Sequence, residues 1–140
     1  MYNRSTQDAI SAMSYLAEIY DGGETTCSSA EIAEKRNLPK PFVAKLLTYL
    51  SQAKLVTGSR GPGGGYTLAK PPKDICFQDI ASIFERDDDE LSCPLGRGHC
   101  GKGDRCHLHD QLEAIRNSIK NFLVRTRFDS FQKKKKPGKK

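Results

Sequence analysis

Cys93, Cys100 and Cys106 are the residues in this chain whose types and spacing most clearly announce chemistry. Three of the five cysteines and all three histidines fall within residues 93–109, Cys-Pro-Leu-Gly-Arg-Gly-His-Cys-Gly-Lys-Gly-Asp-Arg-Cys-His-Leu-His. Successive thiols are separated by six and five residues. Soft thiolates select zinc, copper(I) or iron–sulfur clusters. Structural zinc sites draw cysteines from closer C-x2–4-C knuckles, and bacterial ferredoxins use tight C-x2-C repeats; the spacing here is neither. Gly96, Gly98, Gly101 and Gly103 lie between the thiols. They let a short loop wrap an object larger than one ion and bring amide N–H groups towards sulfur. An iron–sulfur cluster on three cysteines therefore fits better than zinc.

A cluster iron held by three thiolates needs a fourth ligand. His109 lies three residues past Cys106, at the expected start of a helix, and can turn its ring back to the loop. His99 and His107 read as solvent-facing polar residues. Cys27 and Cys76, far from the trio, read as small buried hydrophobes. The cysteine count is odd and no export signal is evident, so ligation is favoured over a disulfide framework and a cytoplasmic location is expected. No nucleophile with a base and an orienting partner emerges, and no enzyme is expected. No apolar run approaches the roughly 18–20 residues of a membrane span.

The elements that must position this loop can be read in order. Ser5 or Thr6 can cap a helix running to about Tyr20, with Ala9, Ile10, Met13, Leu16 and Ala17 at helical spacing and Asp21-Gly22-Gly23 to stop it. Thr25-Thr26-Cys27 is short enough to offer one extended bridge. Ser28 or Ser29 caps a short helix that Asn37-Leu38-Pro39 breaks. Pro41 then fits the first turn of another, whose stripe is Phe42, Val43, Leu46, Leu47 and Leu50. Two helices joined by a tight turn, after a preceding helix, suit a helix-turn-helix or a generic three-helix core.

The next stretch favours the former. Leu55-Val56-Thr57 and Tyr66-Thr67-Leu68 read as paired strands around Gly58-Ser-Arg-Gly-Pro-Gly-Gly-Gly65, which holds five glycines in eight residues. Glycine permits close backbone approaches that a Cβ forbids, which suits a wing laid along DNA, with Arg60 supplying charge. The loop lacks the Gly-Lys-Ser/Thr ending of a nucleotide-binding loop. Pro71-Pro72 closes this head. A short helix is expected over roughly residues 77–85, then an acidic link. Leu108, Leu112, Ile115, Ile119, Phe122 and Thr126 form a heptad-like seam, which must pack on the head or pair with a second copy.

The expected organisation is mainly α with a small two-stranded β wing. It comprises a winged helix-turn-helix head (1–72), a short helix and acidic linker (73–91), a cysteine loop (92–107), a dimerisation helix (108–128) and a disordered basic tail (129–140). The formal net charge of +6 is unevenly distributed. The last ten residues carry six lysines and no acid, leaving residues 1–130 with 17 basic and 17 acidic groups. Residues 28–70 carry seven basic groups against two acidic; residues 74–92 carry one against seven. Such segregation suggests that one face meets a polyanion and another does not.

At this point the chain resembles the dimeric winged-helix transcription regulators that include IscR, NsrR and RirA. The matching pieces are Ala9-Ile10-Ser11-Ala12-Met13, Ala30-Glu-Ile-Ala33, Pro41-Phe-Val-Ala-Lys-Leu-Leu47, Leu55-Val56, Arg60-Gly-Pro-Gly-Gly-Gly-Tyr66 and the cysteine trio. The resemblance covers about residues 2–127. It implies that residues 39–50 enter the major groove and the wing the minor groove. It also implies a [2Fe–2S] or [4Fe–4S] cluster on Cys93, Cys100 and Cys106, and a homodimer through residues 108–126. Cluster presence, redox state or nitrosylation would then set DNA affinity, mainly in repression.

IscR-like members ligate through a histidine three positions past the last cysteine, which His109 matches. NsrR-like members use an N-terminal aspartate of the partner subunit. Asp8 sits one residue from that position, a rotation of about 100° on a helix, and is the weaker candidate. The first cysteine gap is also one residue longer than in IscR and NsrR.

The DNA-facing set is expected to be Ser28, Pro39, Lys40, Ala44, Lys45, Lys54, Arg60, Gly63 and Gly64, with the basic members on phosphates and Pro39, Lys40 and Ala44 at base edges. The expected partner is double-stranded DNA with a two-fold related site. The rival readings are an iron–sulfur carrier or redox protein that uses the head for docking, and a zinc- or thiol-based regulator of the same fold.

Overall fold

The computed structural model describes residues 3–59, 64–85 and 108–132. The cysteine trio, His99, His107, Arg60, Gly63, the acidic link from residue 86 and the lysine run from 133 lie outside the described residues.

Helix α1 (Arg4–Glu18) is the central strut, touching α2, α3, α4 and the second wing strand. Its cap is Asn3 rather than Ser5 or Thr6: Asn3 Oδ1 accepts from the Thr6 amide at 2.8 Å. Thr6 is unavailable as a cap because its side chain is fully buried and its hydroxyl donates elsewhere. After α1 the chain turns through Gly22 and Gly23, at φ +90° and +94°, where an L side chain would be strained.

Helix α2 (Ser29–Arg36) starts at Ser28, whose hydroxyl accepts from the Glu31 amide at 3.1 Å. It ends at Asn37 in the left-handed region (φ 55°), with Leu38 N donating to Ala33 O at 2.8 Å. Helix α3 (Lys40–Gln52) follows after three residues, with Pro39 at its cap and Pro41 in its first turn, where a missing N–H costs nothing. Val43, Leu46, Leu47 and Leu50 are buried along one side of α3, as a 3.6-residue period requires.

Strands β1 (Val56–Gly58) and β2 (Tyr66–Leu68) pair antiparallel in the register Val56↔Leu68, Thr57↔Thr67, Gly58↔Tyr66. Cys27 adds the expected bridge: its N donates to Tyr66 O at 2.9 Å and Tyr66 N returns to Cys27 O at 2.7 Å. Gly65 makes that approach possible, since a Cβ there would lie 2.8 Å from the Cys27 carbonyl.

A short 3-10 turn (Pro72–Asp74) leads to α4 (Phe77–Phe84), which packs on α1, α3 and the long helix α5 (His109–Arg125). The chain does not run free after α5. It folds back through a 3-10 turn (Phe128–Phe131), with Phe77 N donating to Thr126 O at 2.9 Å and Phe128 N to Ile75 O at 3.0 Å. Phe128 is fully buried and packs on Phe77, ring centroids 4.9 Å apart. The expected tail boundary at 129 is therefore too early: Asp129, Ser130 and Phe131 belong to this turn. Four residues show no periodicity, so only their aromatic contacts reveal the turn. The long helix is likewise shorter than 108–128, because Thr126 is already extended.

Candidate functional site

One polar network joins α1 to α2, the first helix of the pair. Tyr15 Oη donates to Glu31 Oε2 at 2.9 Å, joining α1 to α2. Arg36 lies over the Tyr15 ring, 5.2 Å from its centroid, and donates through Nε to Ser14 Oγ (3.0 Å) and Ser11 O (3.2 Å), and through Nη2 to Glu18 (2.9 Å). Burial, reinforced by the Glu31 carboxylate, pushes the Tyr15 hydroxyl up to about 12, so it stays a donor at neutral pH. The pattern of apolar residues gave no sign of this network, whose members are 16 to 25 residues apart. Burial also raises the Cys27 thiol to about 12, which keeps it protonated and inert, as a small core residue should be. Cys76, by contrast, is only half-buried and heads α4, its amide donating to Asp79 Oδ2 at 3.0 Å.

Ser28, Pro39, Lys40, Ala44, Lys45 and Lys54 are all exposed. Lys40, Lys45 and Lys54 hold no ion pair among the described residues, so their charge is available to phosphates. Ser28 and Ala44 are already engaged: the Ser28 hydroxyl caps α2, and the Ala44 carbonyl accepts from Thr48 Oγ1 at 3.0 Å. Lys54 adopts a left-handed backbone (φ 64°) at the turn from α3 into β1, a strained placement for a lysine. Lys45 lies on the α4 side of α3, in a cleft lined by Ser5, Phe42, Tyr49, Ile83, Phe84 and Glu85. Below the wing tip, Ser59 and Gly65 close the hairpin with reciprocal amide–carbonyl bonds of 2.8 and 3.1 Å; Gly64 stands beside them, half-buried.

His109 occupies the first position of α5, with Nε2 3.5 Å from Glu113 Oε2 one turn on. His109, Asp110 and Glu113 bring one ligand atom each within 4.8 Å of one another. Asp8 is engaged with Arg4 at 3.4 Å, and its side chain is 13% exposed.

The seam expected along α5 is divided. Leu112 and Ile119 are half-buried, whereas Ile115 (48% exposed) lines a shallow groove with Ala114, Ser118 and Ile119; Phe122 (46%) borders that groove and meets the Phe77 ring edge-on, centroids 5.5 Å apart. The residue that reaches the core is Leu123, which the heptad reading passed over. Where the cysteine-bearing segment leaves the head, Glu85 Oε2 accepts from the Asn3 amide (2.8 Å) and from Thr6 Oγ1 (2.5 Å). Burial raises the Glu85 carboxyl, but the hydrogen bonds from Thr6 and Asn3 are foremost among contributions that bring it below the ordinary glutamate value.

A helix pair braced on a third helix, followed by a two-stranded wing, defines a winged helix-turn-helix protein of the DNA-binding class. No helix among the described residues is long and apolar enough to cross a membrane. Residues 2–134 match the Rrf2 family, described as "Iron-dependent Transcriptional regulator", and the chain belongs to that family of transcription regulators, which are not enzymes. It is 30% identical over 128 residues to an HTH-type transcriptional regulator of Aquifex aeolicus, covering 90% of this chain and 87% of that one. It is 31% identical over 94 residues to the HTH-type transcriptional regulator IscR of Escherichia coli, covering 67% of this chain and 57% of IscR. Among solved structures it is similar to T. potens IscR (TM-score 0.71, 28% identity, covering 91% of this chain and 83% of that one). It is also similar to CymR, "the Global Cysteine Regulator of B. subtilis" (TM-score 0.74, 25% identity, covering 92% and 94%).

Proposed function

We propose that this protein is a homodimeric transcriptional repressor whose hold on DNA is governed by an iron–sulfur cluster. The cluster would sit on Cys93, Cys100 and Cys106, with His109 as the fourth ligand. The observation that carries this reading is the donor set: three thiolates in a glycine-rich stretch, and an imidazole at the root of α5. Three sulfurs and one nitrogen suit an iron–sulfur cluster held less tightly at one iron. Such a group supplies a redox-active and nitrosylatable centre.

The protein's own residues do the rest. Glu113 can fix the His109 ring by accepting from the nitrogen that is not ligating. Asp8 of a partner subunit is the weaker candidate, because its ion pair with Arg4 must first be broken. Lys40, Lys45, Lys54 and Arg60 bind phosphates, while Ser28, Pro39, Ala44 and the wing glycines Gly63 and Gly64 allow close approach to the duplex. Little direct base readout is available from Pro39, Lys40 and Ala44, so groove shape read by the wing carries much of the specificity.

The outward stripe Ala114, Ile115, Ser118 and Phe122 pairs with its copy in a second subunit, placing two heads on a two-fold related site. Among the described residues Ile115 is close to half exposed, while Phe122 meets the Phe77 ring edge-on, centroids 5.5 Å apart. The cluster-bearing segment joins the head to α5, so its state sets how the heads lie across successive grooves.

The test is anaerobic reconstitution with iron and sulfide, followed by the visible spectrum and metal counts. Wild type is expected to colour and Cys100→Ala to stay colourless while remaining folded. A colourless wild type would overturn the cluster. The similarity to CymR favours one second reading, a regulator that senses thiol or cysteine chemistry through the same residues without a cluster. That reading predicts a colourless protein whose DNA affinity still changes when Cys93, Cys100 and Cys106 are replaced.

A further inference from the structure

The two residues at the exit of α4 each hold a different helix of the head. Glu85 grips the first turn of α1: its Oε2 accepts from the Asn3 amide and the Thr6 hydroxyl, while Asn3 Nδ2 donates to the Phe84 carbonyl at 2.8 Å. Asn3 is also the cap of α1, and Thr6 is fully buried, so these bonds belong to the helix's foundation. Phe84 touches the DNA-reading helix: its ring meets Tyr49 of α3 edge-on, centroids 6.0 Å apart. The next residue in sequence begins the acidic segment that leads to Cys93.

We propose that Glu85 is the positioning residue through which the state of the cysteine-bearing segment reaches α1 and, beside it, the recognition helix. The inference rests on the cluster reading above. Its physical basis is the placement of one half-buried carboxylate, which accepts from Asn3 and Thr6, at the root of that segment on the head. The other root, at Leu108, leads into α5. A rearrangement that begins at residue 86 must either break the bonds to Asn3 and Thr6 or drag the first turn of α1 with it. A helix in contact with α2, α3, α4 and the wing passes such a shift on as a rigid body. With the bonds cut, the segment can rearrange while the head stays still.

The readout is the ratio of DNA affinities between cluster-loaded and cluster-free full-length protein, measured by fluorescence anisotropy on a duplex selected for wild-type binding. Coupling between sites in one protein is typically about 5- to 150-fold. Glu85→Ala removes the acceptor. Thr6→Val removes one donor at nearly constant volume and keeps the site apolar, so it serves if Glu85→Ala fails to fold. Thr6→Ser restores the hydroxyl. The expected outcome is that Glu85→Ala and Thr6→Val keep the cluster spectrum and the helical circular dichroism, yet bring the ratio to within about twofold of one. Thr6→Ser should retain the wild-type ratio. A purely structural role would lower thermal stability and leave the ratio intact. If wild type shows a clear ratio that Thr6→Val or Glu85→Ala preserves, this inference falls alone. If wild type loads no cluster, or its ratio is one, the cluster reading falls and takes the inference with it.

Discussion

Helices α3 and α5 are both amphipathic, but they stand in different relations to the rest of the chain. α3 has 13 residues and buries Val43, Leu46, Leu47 and Leu50 between α1, α2 and α4. α5 has 17 residues and buries only Leu123. Ile115, Phe122 and Val124 are each close to half exposed on α5. The head completes its own core, whereas α5 is fastened to it at one end and presents an apolar stripe elsewhere. In the roles proposed above, a reading helix must keep a fixed shape before it meets DNA, and a dimer helix must keep a surface in reserve.

That contrast can be broken at the fastening. Phe128 is fully buried among Phe77 and Phe131 and holds the end of α5 to the head. Phe128→Ala should cost about 3–5 kcal/mol, a loss measurable by urea unfolding. A cost near zero would mean that the head does not depend on the returning turn.

The exposed stripe gives a sharper test. Ile115→Glu places a charge where a second subunit would bury it. It should weaken self-association by about 2 kcal/mol, a roughly 30-fold change in dissociation constant, while each chain stays folded. Sedimentation at graded concentrations reads this directly. An unchanged mass would assign the dimer contact to another surface.

The smallest effect lies inside the head. Tyr15→Phe removes the hydroxyl that joins α1 to α2 through Glu31. About 1 kcal/mol of stability should be lost, with the aromatic packing under Arg36 retained. Thermal unfolding checks it; no shift in midpoint would show that the hydroxyl bond adds nothing to the hold of Arg36 and the apolar core on α1 and α2.

Much of this architecture is visible in the residues themselves. Ser28 or Ser29 and Pro41 mark helix starts by local chemistry, Pro39 marks the break between them, and Val43 to Leu50 repeat with the helical period. Five glycines between Leu55-Val56-Thr57 and Tyr66-Thr67-Leu68 mark the hairpin. Thr25-Thr26-Cys27 is too short to classify by pattern, and its bridge is fixed by the pairing of Cys27 with Tyr66. The signals that failed were those in which neighbours along the chain are equivalent until something distant chooses between them. Asn3, Ser5 and Thr6 can all cap α1, and the choice falls to Asn3 because Thr6 turns inward to Glu85, 79 residues on. Leu123 lies one residue from Phe122, and the seam periodicity chose Phe122, although Leu123 is the one that is buried.

Sequence alone therefore determined the order of the five helices and the pairing of the two wing strands, because helix caps and periodicity are local properties. Tertiary structure decided which side of α5 turns inward, how the chain returns through Phe128, and that Glu85 ties the exit of α4 to the start of α1. Those outcomes depend on which surfaces meet across tens of residues, and contacts at that range leave no period in the chain that makes them.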